Sequence, residues 1–155
     1  MAEISIIHAE APEDIAAVRA IFLEYLQFVE RYLGQDLSFQ GTDKEFADFP
    51  QTYDALFLGI SGGKPVAACG VKPFKPGICE LKRLYCRPAA RGLGLGLKLS
   101  EAALSEARAL GYKHIYLDTD HGLIHANKIY ETLGFQDIEK YYDNPMDSRF
   151  MGLAL

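Results

Sequence analysis

The run Arg91-Gly-Leu-Gly-Leu-Gly96 has the residue types and spacing to hold an anion. It opens a stretch in which apolar residues recur at Leu95, Leu99, Ala102, Ala103, Ala107 and Leu110 before Gly111, the stripe of an amphipathic helix closed by a C′ glycine. Gly92, Gly94 and Gly96 fall across its first turn, where a glycine inside a helix costs about 1 kcal/mol relative to alanine. A bound anion would offset that cost. First-turn N–H groups lack intrahelical partners, the helix dipole is positive there, and missing Cβ atoms permit close approach. Arg91 adds a formal charge beside them.

Spacing separates three phosphate-binding patterns. A P-loop requires Gly-Lys-Ser/Thr at 97–99, where the chain has Leu97-Lys98-Leu99. A dinucleotide fingerprint requires a glycine at 97 or 99, which is absent, and this counts against a nucleotide-dependent oxidoreductase. The pattern Arg/Gln-x-x-Gly-x-Gly/Ala is filled completely, directly after the strand-like run Glu80-Leu-Lys-Arg-Leu-Tyr-Cys. With Arg87-Pro-Ala-Ala-Arg-Gly92 between, this strand-turn-helix core resembles the acyl-CoA-binding motif of the GNAT superfamily of N-acetyltransferases. Asn127-Lys-Ile-Tyr-Glu-Thr-Leu-Gly-Phe135 is similar to the second signature of that family. The resemblance covers the whole chain.

The resemblance implies an α/β (α+β) fold with a central mixed, mostly antiparallel sheet flanked by helices. It implies transfer of an acetyl group from acetyl-CoA, as co-substrate, to a primary amine by direct attack in a ternary complex. In such a site the pyrophosphate meets Arg91, Gly92, Leu93, Gly94, Leu95 and Gly96, while the backbone of Leu84, Tyr85 and Cys86 pairs with the pantetheine arm. Asn127 is placed to hydrogen-bond that arm. An aliphatic amine has a pKa of about 10, so a proton must be removed before attack. Glu80 is the expected base, directly or through water, and Tyr130 the expected acid for the departing thiolate. Each residue has a plainer reading. Glu80 pairs with Lys82 in a surface salt bridge, and Tyr130 packs in a buried stripe with Leu123, Ala126 and Leu133. A non-catalytic acyl-CoA-binding module is the alternative function.

Composition narrows the class. At 155 residues one domain, 1–155, is expected, with about 70% of its unfolded surface removed from water. The net charge of −5 argues against nucleic acid as a partner and suits a cationic acceptor, either a small molecule or a protein or peptide amine. No run reaches the ~18 apolar residues of a membrane span, and the N-terminus lacks a signal-peptide pattern, so a cytoplasmic location with no membrane partner is expected. Cys69, Cys79 and Cys86 are odd in number and lie in apolar strand settings, which favours buried thiols over disulfides, a metal site or an acyl-enzyme. His121 and His125 have helical metal-pair spacing but no third ligand, so no metal is expected. A homodimer through C-terminal strands is implied by the resemblance alone.

The elements that must position these groups follow in the order β-α-α-β-β-β-α-β-α-β-β. Residues 3–9 read as a strand. A long helix begins at Pro12 with Glu13 and Asp14 in its first turn, carries the stripe Ile15, Val18, Phe22, Leu26, Val29 and Leu33, and ends at Gly34. A second row, Ile21, Tyr25, Phe28 and Tyr32, either lines an acceptor pocket or widens the packed face. Thr42 and Glu45 form a capping-box pattern for a short helix through Phe49. The preceding loop offers Ser38, Phe39 and Gln40 as acceptor contacts. Residues 55–61 and 65–74 form a hairpin across Gly62-Gly63, and Lys75-Pro76-Gly77 turns the chain into the Glu80 strand. A strand over 113–118 precedes the Asn127 helix, for which Thr119 or Asp120 is the expected cap. Capping is also the simpler role for Asp118, and neither aspartate is assigned to catalysis. Strands over 135–141 and 149–155 close the chain, and Tyr141 and Tyr142 between them either overhang the acceptor site or stack on neighbouring strands. Tyr142 is included among the acceptor contacts.

Overall fold

The structure is a computed structural model that describes residues 3–34, 42–144 and 147–155. The expected Ser38, Phe39 and Gln40 contacts lie outside the described residues. Its elements are β1 (Ile4–His8), α1 (Pro12–Leu33), α2 (Thr42–Ala47), β2 (Ala55–Ser61), β3 (Lys64–Lys75), β4 (Ile78–Cys86), α3 (Leu95–Ala109), β5 (His114–Asp120), α4 (Ile124–Thr132), β6 (Gln136–Asp137) and β7 (Ser148–Ala154). The order is the expected one. Among the described residues the strands form one sheet in the order β1-β2-β3-β4-β5-β7-β6, antiparallel except where β4 meets β5. No described helix is long and apolar enough to cross a membrane.

Each face of the sheet is covered by helix. On one side α1 buries Val18, Ile21 and Phe22 against Leu56, Leu58, Ala68 and Tyr85. On the other, Leu95, Leu99, Ala103 and Ala107 of α3 and Tyr130 of α4 pack on Cys69, Val71, Leu81 and Ile115. Pro12 opens α1, and Gly34, at φ +67, closes it by donating its N–H to the Glu30 carbonyl. The second row on α1 divides: Ile21 is core, whereas Tyr25 and Phe28 flank Tyr85 and Tyr32 is exposed.

β4 carries the irregularity that shapes the site. Its register with β3 runs Lys72 opposite Glu80 and Gly70 opposite Lys82, then resumes with Ala68 opposite Tyr85, so Cys69 faces two residues, Arg83 and Leu84. Arg83 has φ +61, and among the described residues it is the sole non-glycine residue with positive φ. This is a β-bulge, with one extra residue on β4. It inverts the alternation: Cys79 and Leu81 lie on the α3 side before the bulge, and Leu84 and Cys86 pack there after it. Strict strand periodicity would put Glu80, Lys82 and Leu84 on one face, and the bulge turns Leu84 to the other. Parallel pairing of β4 with β5 stops at Glu80 and Tyr116, beyond which the two strands separate.

Three boundaries differ from the sequence reading. Thr42 lies within α2, not before it, and the Glu45 carboxylate bonds Arg83, so it does not close a capping box. α4 starts after Leu123 without a side-chain cap, because Thr119 and Asp120 complete β5. β6 is two residues long; after Ile138 donates to the Phe150 carbonyl, the chain leaves the sheet plane and crosses its α1 side.

Candidate functional site

A cavity of 660 Å³ occupies the opening between the separated ends of β4 and β5. Leu84, Tyr85 and Cys86 form one wall, and Gly122 through Ala126 with Ile129 form the other. Arg91, Gly92, Gly94, Leu95 and Gly96 form its end, and Tyr25 and Phe28 reach it from α1. Eight of the ten residues expected to hold an acyl-CoA therefore meet around one space. Leu93 is 41% exposed and does not line it. Asn127 lies behind the second wall, where Nδ2 donates to the carbonyls of Asp120 (3.0 Å) and His121 (3.4 Å) and Oδ1 accepts from Thr119 Oγ1 (2.9 Å). In that position it fixes the β5–α4 junction.

The glycines serve two purposes. Gly92 and Gly94 have φ of +84 and +82, a region that only glycine occupies without strain. Gly96 alone is inside α3, and a Cβ there would lie 3.0 Å from Ile129 Cδ1, so its absence lets α3 and α4 approach. The helix cost is thus incurred once, and packing accounts for it. Gly94 is the N-cap of α3 without a side-chain cap, and the N–H groups of Leu95, Gly96 and Leu97 have no intrahelical acceptor. Beside them the Arg91 guanidinium lies over Phe28 (5.4 Å) and Tyr85 (5.6 Å) and donates from Nε to the Cys86 carbonyl at 3.2 Å. The cavity end is electropositive although the protein is acidic.

Tyr130 packs edge-on against Phe135 and is 7% exposed. Burial drives its phenol well above the ordinary tyrosine value, with further contributions from Tyr25, Cys69, Asp118 and Cys86. Tyr130 is not among the residues that line the cavity, and its hydroxyl stays protonated at any physiological pH. The Tyr25 phenol, pushed up to about 12 chiefly by burial, is influenced by Arg83, Asp118 and Asp120.

A second cluster faces α1. Glu80 is 7% exposed and accepts a 2.7 Å hydrogen bond from Tyr141 Oη, which excludes the surface salt bridge with Lys82. Lys82 Nζ instead stands 3.9 Å from Asp118 Oδ1, and Asp118 Oδ2 accepts from Tyr142 Oη at 2.8 Å. Tyr141 rests against Phe74, Tyr116 and Phe150 with centroids 5.0–5.2 Å apart. Arg83 and Glu45 form a bidentate pair at 3.0 and 3.2 Å, each side chain 3% exposed, that ties α2 to the bulge. Sequence reading missed Lys72 and Arg83 as parts of this cluster, left Asp118 to helix capping, and left Tyr141 open between overhanging the site and stacking on strands. The bulge and the β3–β4–β5 register bring them together, and neither has a local signature. His121 pairs with Asp147 at 3.8 Å, whereas His125 lines the cavity. Among the described residues no group of three or more His, Cys, Asp or Glu could hold a metal ion.

The profile of the Acetyltransferase (GNAT) family matches residues 16–135. The chain is 37% identical over 149 residues to an uncharacterised N-acetyltransferase of Schizosaccharomyces pombe, covering 92% of this chain and 89% of that protein. An acetyltransferase from Streptococcus agalactiae superposes with a TM-score of 0.78 over 98% of both chains at 22% identity. A Salmonella typhimurium protein, described as an acetyltransferase with its cofactor acetyl-CoA, superposes at 0.71 over 97% of this chain and 93% of that one at 19% identity. The chain belongs to the acetyltransferase (GNAT) family.

Proposed function

We propose that the chain, acting as one domain, transfers an acetyl group from acetyl-CoA to a primary amine by direct attack. The observation that carries this reading is the opening between β4 and β5, which has the glycine turn at its end on the α3 side and buried carboxylates on the α1 side. Acetyl-CoA supplies the thioester. The unpaired first-turn N–H groups and Arg91 suit its pyrophosphate, and the edge of β4 from Leu84 to Cys86, which β5 does not pair, suits an extended pantetheine arm. The Salmonella relative described with acetyl-CoA supports this choice of donor.

The acceptor enters from the α1 side. Its ammonium proton passes to Glu80, directly or through water, while Tyr141 holds that carboxylate in place. The amine lone pair forms the bond to the thioester carbon, the carbonyl re-forms as the C–S bond breaks, Tyr130 gives its proton to the departing sulfur, and the second proton lost by the nitrogen restores the phenol. Burial keeps the proton on the phenol until charge develops on the sulfur.

Calorimetric titration with acetyl-CoA, followed by thiol release with candidate amines on the same sample, tests the reading. Saturable binding and amine-dependent thiol release are expected. No binding overturns the assignment of the cavity.

A further inference from the structure

We infer that the acceptor is a zwitterion of the amino-acid class, its ammonium on Glu80 and its carboxylate on Lys72. The inference rests on the acetyl-transfer reading above and adds the substrate class. Lys72, Glu80 and Tyr116 form one rung across β3, β4 and β5, so their side chains share the α1 face. Directly opposed residues on neighbouring strands have Cβ atoms about 5 Å apart, a separation that one small zwitterion can bridge.

Glu80 and Lys72, opposite charges on one rung, have no ion pair among the described residues, whereas their neighbours do. Arg83 is neutralised by Glu45, and Lys82 stands beside Asp118. Asp120 Oδ1 accepts the Gly122 N–H at 2.7 Å, and Glu80 accepts from Tyr141. Lys72 is half-buried and has no carboxylate within ion-pair distance among the described residues. Burial and then the Lys82 charge pull its ammonium below the ordinary lysine value, while Glu45 and Glu80 act in the opposite sense. An ammonium withdrawn from water without a counter-ion is unfavourable, and an incoming carboxylate removes the deficit. A diamine, a polyamine or a lysine-rich peptide would instead bring positive charge against Lys72 and Lys82. The overall acidity of the chain therefore misleads about the acceptor, because the local pattern at Glu80 is dipolar.

The test uses the full chain, acetyl-CoA and three acceptor panels: the common L-amino acids, their carboxamides, and putrescine with spermidine. Thiol release gives kcat/KM for each. At least one amino acid should exceed its own carboxamide by tenfold or more, with the polyamines below both. In Lys72→Met that ratio should fall to about one, and Lys72→Arg should recover most of it, while acetyl-CoA affinity measured by calorimetry stays at the wild-type value in both. Equal or better turnover of carboxamides or polyamines overturns the inference and leaves acetyl transfer standing. Undiminished preference in Lys72→Met, with folding verified by thermal melting, also overturns it, as does acetyl-CoA binding without turnover of any amino acid. Failure to bind acetyl-CoA is seen before any acceptor is added and overturns the parent reading together with this one.

Discussion

Tyr141 Oη donates to Glu80 Oε2 at 2.7 Å across 61 residues of sequence, joining the β6–β7 connection to the middle of the sheet. This bond orients the Glu80 carboxylate on the α1 face. In Tyr141→Phe the aromatic packing on Phe74, Tyr116 and Phe150 is retained and only the donor is lost. Turnover should fall about tenfold, in line with loss of a charge-assisted hydrogen bond. Acetyl-CoA affinity should not change, and calorimetry beside steady-state kinetics separates the two quantities.

Glu80→Gln removes the proton acceptor and keeps the shape. A loss in kcat/KM of about 100-fold or more is expected, together with a flattened acidic limb of the rate profile. If activity falls but the limb persists, Glu80 positions the acceptor and another group takes the proton.

For Tyr130→Phe the ring still packs on Phe135, so melting temperature should change little while kcat drops by about 100-fold. The check is a pre-steady-state measurement showing that chemistry limits the rate. Unchanged single-turnover kinetics would remove the phenol from the mechanism.

Gly94 separates backbone strain from electrostatics. At φ +82 any side chain strains the turn, so Gly94→Ala should weaken acetyl-CoA binding and stability modestly, by about 1–2 kcal/mol of strain. Gly94→Asp adds a negative charge at the α3 N-terminus and should weaken acetyl-CoA binding at least tenfold beyond Gly94→Ala. Calorimetry on the pair reads the difference directly.

Arg83 and Glu45 make stability depend on pH. Burial opposes ionisation of Glu45, but the Arg83 charge and hydrogen bonds outweigh it, and the carboxyl sits below its ordinary value. A carboxylate depressed on folding adds stability that is fully present above its unfolded pKa of about 4.3 and is lost as pH falls through the lower folded value. Urea melts from pH 7 to pH 3 should show that decline, and Glu45→Gln should flatten it. At pH 7 the substitution leaves Arg83 buried with its ion pair broken, for which a loss of about 3–5 kcal/mol is expected.

Periodicity and capping made the element order legible. Pro12 and Gly34 bound α1, Gly62-Gly63 turns the β2–β3 hairpin, and the stripe from Leu95 to Ala107 places α3 after the glycine turn. The cavity was legible through the resemblance to the family motif, and because Leu84 to Cys86 and Arg91 to Gly96 are near in sequence, local geometry brings all of them except Leu93 together. The α1-side cluster was not. Nothing in Lys82-Arg83-Leu84 signals a bulge, since a positive φ is ordinarily carried by glycine, and strict alternation places Leu84 on the wrong face. Lys72 meets Glu80 through the β3–β4 register, and Asp118 meets Lys82 through the first parallel rungs with β5. Tyr141 looked like a strand residue because its stretch is rich in strand-compatible residues, yet β6 ends at Asp137 and frees it to cross the sheet.

The bulge makes β4 a crankshaft. One strand presents Glu80 to α1 and, four residues later, Leu84 to α3, and the half-turn between them is held in the main chain at Arg83. Side chains on either face can be exchanged without altering how the faces are phased. Such a strand lets the α1 face be resurfaced while the glycine-turn side is left untouched, whereas inserting or deleting a single residue between Glu80 and Leu84 would put the two faces out of step.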